Sequence, residues 1–290
     1  ADKKGLKRLW LILSVVANMA VLLFFIRSGH SSYDVTSIFT GKGAMLKLFP
    51  VWGAGVFTLH GISYCMDIYR EEIEPEKNFL LVSQYICFFP CFYCGPILRF
   101  SDISEQLRKP VITSGKLAEG IKLMLIGFAE KLFLSDPMYE MWQHIRGVST
   151  DSLSAACAWL GIIAFSFAFY YELRAYSHIA QGIGSMLGFK LPDNFDLPFM
   201  SAGFNELIKR FACTFYSWVR DYFYRPICRN KDSVCLWALI LSVLAGSVWY
   251  GYGRHTMLWA AFICVMLGIE YLLKNILAAV PTGVRCAVMN

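Results

Sequence analysis

"FFPCFYCGPILRF", Phe88 to Phe100, sets Pro90, Gly95 and Pro96 at the end of an apolar run, with Arg99 directly after it. Proline removes a backbone donor and interrupts a helix. Irregular backbone at membrane depth is tolerated only where protein or a water-lined cavity satisfies its polar groups. The stretch therefore predicts a re-entrant segment, broken near Pro90 or Gly95, in place of one straight span.

Working outward, the composition makes a bilayer the expected solvent. The chain is 57% hydrophobic and 16% aromatic, with only 17% charged residues, too few to cover a soluble surface of that size. The apolar residues come in blocks: Leu9–Ile26, Phe79–Leu98, Leu153–Tyr171, Leu236–Trp249 and Thr256–Val280. Most reach the roughly 17–25 residues that a spanning helix needs. Val51–Ile68 and Leu117–Leu134 are apolar but interrupted by His60, Lys122, Glu130 and Lys131. The pattern is that of an all-α, polytopic helical membrane protein. No polar linker divides the chain, so residues 1–290 read as a single membrane domain.

Leu9–Ile26 follows Lys3, Lys4, Lys7 and Arg8, but it is long for a signal peptide and no small-x-small site follows. It reads as a retained helix. The formal charge of +6 gathers beside membrane segments: the N-terminal lysines, Arg99 to Lys109, and Arg220 to Lys231. Positive juxtamembrane charge is retained in the cytoplasm, so these stretches are expected on that face. No basic run forms the extended patch that nucleic acid requires. Cys87, Cys91 and Cys94 fall at helical spacing with no histidine partner, as small core residues do, so no metal is expected. "NELIKRFACTFYSWVRDYFYRPI", Asn205 to Ile227, sets arginines against aromatics and reads as an amphipathic helix at the interface or along a cavity wall.

Several stretches together resemble the membrane-bound O-acyltransferase family, in its alginate O-acetylation and D-alanyl-teichoic acid branch. "GISYCMDIYR" resembles that branch's SY-x-x-D-x-YR segment, and the opening stretch its FFP…GPI-x-R motif. "GFAEKLFLSD" is similar to G-x-x-KK-x-x-x-AD, with Glu130 in place of one lysine. "YYELRAYSHIAQGIGSMLGFKLPDNFDLPF" resembles D-x-SGYSD-x-A-x-G…MLGF-x-LP-x-NF-x-x-P, with Glu172 and His178 where the family has aspartates. "SWVRDYFYRP" is similar to SWLRDYLYIP. The likeness runs from about Leu9 to Ile269. Relative to that family, terminal helices at both ends are expected to be missing.

The resemblance implies an MBOAT-like core with re-entrant and interfacial helices, and acyl transfer from a cytoplasmic thioester to an extracytoplasmic polysaccharide or lipid hydroxyl. It implies a phosphopantetheine or coenzyme A donor, with no bound cofactor. The expected partners are membrane lipid, an acyl carrier protein or acyl-coenzyme A, and an extracytoplasmic partner acyltransferase. Substrate and donor contacts would fall on Arg99, Trp218, Arg220, Asp221, Trp249, Gly251 and Trp259. For Arg99, Arg220, Arg225 and Lys231 a role as positive-inside anchors competes with phosphate binding.

The family's chemistry is thought to need a tunnel histidine as general base. Its three histidine positions fall here on Ala212, Tyr250 and Ile263. Alanine and isoleucine do not titrate, and a phenol, with a pKa of about 10, is a poor base at neutral pH. His255, five residues past Tyr250, is the first substitute candidate and His178 the second. His60 and His144 carry no motif and read as core or surface residues. Three functions stay open: an acyltransferase, a non-catalytic scaffold or acyl-donor conduit of the same fold, and a transporter built on broken helices.

Overall fold

The computed structural model describes residues 3–27, 53–149, 151–228, 236–250 and 254–279. Among them every regular element is helical. Three helices contain stretches long and apolar enough to cross a membrane, Gly5–Leu23, Ala155–Met186 and Thr256–Leu273; Phe79–Cys91 and Trp237–Ser247 are shorter apolar stretches. The chain is an all-α membrane protein. Its contacts group into two compact units, Ala1–Asn194 and Phe195–Asn290.

In the first unit, α1 (Lys3–Arg27) packs on α2 (Ala54–Tyr69). Gly61 permits the close approach, since a Cβ there would stand 2.9 Å from Oδ1 of Asn18. Ser14 Oγ and Cys65 Sγ meet at 3.0 Å on the same seam. The rest of α1 exposes Leu6, Leu9, Trp10, Leu13 and Val16, an apolar surface suited to lipid.

The opening stretch is broken as the prolines predict. Asn78 caps α3 (Phe79–Ile86) by accepting from the Leu80 N–H at 3.1 Å. The helix ends at Ile86, four residues before Pro90, whose missing N–H cannot serve the Ile86 carbonyl. A 3₁₀ turn, Phe89–Cys91, follows, and the chain returns to start α4 (Phe100–Arg108) against α3. Gly95 sits inside the turn, where a Cβ would lie 2.5 Å from the Cys91 Cα.

Buried polar groups pin this hairpin. The Leu98 N–H donates to His60 Nε2 at 3.2 Å, so Nδ1 carries the proton and donates to the Tyr85 carbonyl, also at 3.2 Å. The Tyr85 hydroxyl donates to the Leu98 carbonyl at 3.0 Å. Around them Val56, Phe88, Cys91, Phe100, Ile103 and Phe189 form a hydrophobic core. His60 is thus the core histidine expected of it, and His144 is exposed.

A long helical hairpin completes the unit. Thr113 caps α5 (Ser114–Ala129), which runs through a π turn, Glu130–Ser135, into α6 (Asp136–Arg146). α7 (Ala155–Met186) runs back along all three; the helix continues past the apolar run that ends at Tyr171, through Glu172, Arg174 and His178, to Met186. Small residues set the contact. A Cβ on Gly127 would stand 2.6 Å from the Ala175 carbonyl oxygen, and one on Gly161 would stand 2.9 Å from Ile145 Cγ2. Helices in lipid associate through such small residues, because apolar burial alone gives them no advantage over lipid.

In the second unit, the segment expected as one amphipathic helix is interrupted. α8 (Phe204–Arg210) stops at Phe211, and Ala212 takes the left-handed conformation, φ 77°, before α9 (Cys213–Val219). A π turn, Arg220–Tyr224, and a last turn, Arg225–Ile227, follow. Both π turns end two residues before a proline, Pro137 and Pro226, whose absent N–H disturbs the preceding ladder. α10 (Leu236–Tyr250) and α11 (Arg254–Ala279) pack on each other. Glu270 of α11 accepts from the Asn205 N–H at 2.7 Å and so caps α8 from outside.

Candidate functional site

Two groups of polar side chains stand out, one in each unit. The first lies where the π turn after α5 meets the middle of α7. A π turn brings residues five apart onto one side, and Lys131 there pairs with Asp136. The same ammonium reaches Glu172 Oε2 at 2.8 Å. Ser135 Oγ stands 2.8 Å from that oxygen and 3.0 Å from the Ala168 carbonyl oxygen, and its one proton is shared between the two acceptors. Glu172 is thus buried among donors supplied by the π turn.

One step along, Glu130 faces α7 from the same turn. Its Oε2 stands 2.8 Å from His178 Nδ1 and its Oε1 stands 3.4 Å from Arg174 Nε. Arg174 and His178 are four apart on α7 and share a face, so one carboxylate meets both. Arg174 also lies over the Tyr170 ring, 5.8 Å from its centroid. The carboxylate is buried, while the imidazole keeps 19% of its surface exposed. A buried carboxylate on one ring nitrogen fixes the tautomer and leaves the other nitrogen as an acceptor.

The second group surrounds the second π turn. Asp221 is buried and accepts from Arg220 Nε at 2.9 Å and Arg225 Nη1 at 3.0 Å through the same oxygen. Trp218, also buried, lies 5.2 Å from the Tyr222 ring and 5.7 Å from Phe223. Two guanidinium groups on one carboxylate leave a net positive charge, and both arginines are partly exposed. Guanidinium edges match phosphate oxygens.

Of the residues nominated from sequence, Trp218, Arg220 and Asp221 are brought together here. Trp259 lies half-exposed on α11, and Ile263 is buried one turn on. Tyr250 is the last residue of α10 and His255 falls in the first turn of α11. Gly251, and the side chains of Trp249, Tyr250 and His255, lie outside the described residues, as do Arg229 and Lys231. His178 and Arg99 belong to the first unit, and Arg99 precedes α4 as its half-buried N-cap residue.

The sequence alone marks Glu130 and Glu172 as departures from a motif and Lys131 as a motif residue that is kept, and gives no role to Arg174. The signal was charge inside apolar runs, which in membrane proteins faces other protein or a cavity.

A family model described as "MBOAT, membrane-bound O-acyltransferase family" matches residues 7–290. The chain is 30% identical over 268 residues to the probable alginate O-acetylase AlgI of Pseudomonas aeruginosa, covering 90% of this chain and 51% of that protein. It is 26% identical over 296 residues to the peptidoglycan O-acetyltransferase of Helicobacter pylori, covering 91% and 55%. It is 22% identical over 233 residues to the teichoic acid D-alanyltransferase of Streptococcus thermophilus, covering 74% and 55%. The chain spans about half the length of the curated relatives it matches.

Proposed function

The chain belongs to the membrane-bound O-acyltransferase family, and from that premise we propose that it transfers an acyl group from a cytoplasmic thioester to a hydroxyl of a cell-envelope polysaccharide. The observation that carries the reading is the family match over residues 7–290, with relatives named as O-acetylases and a D-alanyltransferase. In this reading the protein crosses the cytoplasmic membrane more than once, with α1, α7 and α11 among its spans. The donor is coenzyme A or a carrier-bound phosphopantetheine thioester, and an extracytoplasmic acyltransferase acts beside it. The Arg220–Asp221–Arg225 group is the donor's phosphate contact, because it holds two partly exposed guanidinium groups on one buried carboxylate.

Ester formation requires the acceptor oxygen to attack the thioester carbonyl while its proton is taken up, and the thiol to leave. The test supplies purified protein in lipid nanodiscs with radiolabelled acetyl-coenzyme A and a panel of alginate, peptidoglycan and teichoic acid. Label is expected as alkali-labile ester in at least one polymer. No ester in any of them overturns the reading.

A second reading is a non-catalytic conduit for the donor. It is favoured by one observation: two family histidine positions hold groups without a titratable proton, the Ala212 methyl and the buried Ile263 side chain. It predicts donor binding without ester. The transporter reading rests on the broken helices and on the intramembrane His178 and Glu172, and has no support from the family match.

A further inference from the structure

The Glu130–His178 pair has the order of a catalytic acid–histidine couple, and we infer that His178 is the base of the transfer reaction, with Glu130 as its positioning residue. The inference rests on the acyl-transfer reading above. The carboxylate lies behind and the imidazole in front: Glu130 keeps 10% of its side-chain surface and His178 keeps 19%. Glu130 meets Nδ1 at 2.8 Å, and among the described residues no hydrogen bond is made to Nε2. An Nδ1–H···carboxylate bond places the lone pair on Nε2, the arrangement that histidine bases need.

The surroundings hold the couple in place. Arg174 grips the other oxygen of Glu130 at 3.4 Å, and the neighbouring Lys131 is occupied by Asp136 and Glu172. Glu130 is therefore not drawn away by the nearest lysine. His60 offers the contrast. It is fully buried and both of its nitrogens are already bonded, so it has no lone pair to give.

In the step assigned here, the acceptor hydroxyl oxygen bonds to the thioester carbonyl carbon as its proton passes to His178 Nε2. The carbon–sulfur bond then breaks, and the imidazolium returns the proton to the leaving thiolate. The products are an ester and a free thiol, with atoms and charge balanced.

The experiment compares wild type, His178→Ala and Glu130→Gln in nanodiscs, with acetyl-coenzyme A as donor and the polymer that accepts label as acceptor. His178→Ala should lower kcat by about 100-fold or more, the usual range for a lost general base, and added imidazole should restore part of it. Glu130→Gln should lower kcat by roughly 10-fold or more with the KM for acetyl-coenzyme A unchanged. Thermal unfolding of each variant separates chemistry from folding. Full turnover in a folded His178→Ala protein overturns the inference and leaves the acyl-transfer reading standing. Lost turnover that follows lost fold, without rescue by imidazole, also overturns it. A wild type that transfers nothing overturns the acyl-transfer reading and this inference with it.

Discussion

Gly120 and Gly182 meet backbone to backbone: a Cβ on Gly120 would stand 2.6 Å from the Gly182 carbonyl oxygen, and one on Gly182 would stand 2.7 Å from that of Gly120. Neither site can give way through a flexible side chain, because the neighbour is main chain. Gly182→Leu should push α7 off α5 and destabilise the protein by about 1–3 kcal/mol or more, as overpacking does. Gly115→Leu, where a Cβ would meet only Thr113 Oγ1 at 3.9 Å, should cost far less. Unfolding of both variants in nanodiscs reads the difference.

His60→Ala leaves the Leu98 N–H and the Tyr85 carbonyl without their imidazole partner inside a hydrophobic core. Each such orphan costs about 1–3 kcal/mol. The Phe89–Leu98 turn should loosen before the rest of the unit. Cys91, fully buried within it, then becomes reactive to a maleimide at temperatures where the wild type is inert. Equal labelling in the two proteins would show that the histidine does not hold the turn.

Lys131 neutralises a buried carboxylate, so removing one partner is worse than removing both. Lys131→Met strands Glu172 and should cost about 3–5 kcal/mol. Adding Glu172→Gln should recover part of that loss. A double-mutant cycle on unfolding free energies measures the coupling, and strict additivity would contradict the pairing.

Glu76 gives the fold a pH-dependent element outside the membrane-facing helices. The Asn78 N–H donates to its Oε1 at 2.9 Å and Arg108 pairs with its other oxygen, holding the carboxyl below the usual carboxylate range. A carboxyl whose pKa is lower folded than unfolded adds stability above the unfolded value and loses it as pH falls through the folded one. Wild type should therefore exceed Glu76→Gln in Tm at neutral pH, with the two curves converging in acid. Parallel curves down to the acid limit would refute this.

How much of this was legible beforehand depended on the range of the interactions. The break at Pro90 is written in the chain, because a missing N–H is a property of one residue. The α5–α7 hairpin is half legible: its apolar runs are plain, but which glycines face each other is set by register. The left-handed Ala212 is hidden, since "KRFACTF" has helical spacing and no breaker. Glu130 and His178 are 48 residues apart, and no local pattern joins them. Their helices had to be paired first, by small residues that carry no chemistry.

The proposed acyl transfer would be carried out by a chain whose family histidine positions hold Ala212, Tyr250 and Ile263. The most direct measurement is the rate of free thiol release from acetyl-coenzyme A by the wild-type protein in nanodiscs, with and without an acceptor polymer. The account predicts release that rises with acceptor and is matched by ester formed. Release no faster than the protein-free blank with every acceptor, by a protein that still binds acetyl-coenzyme A, would contradict it.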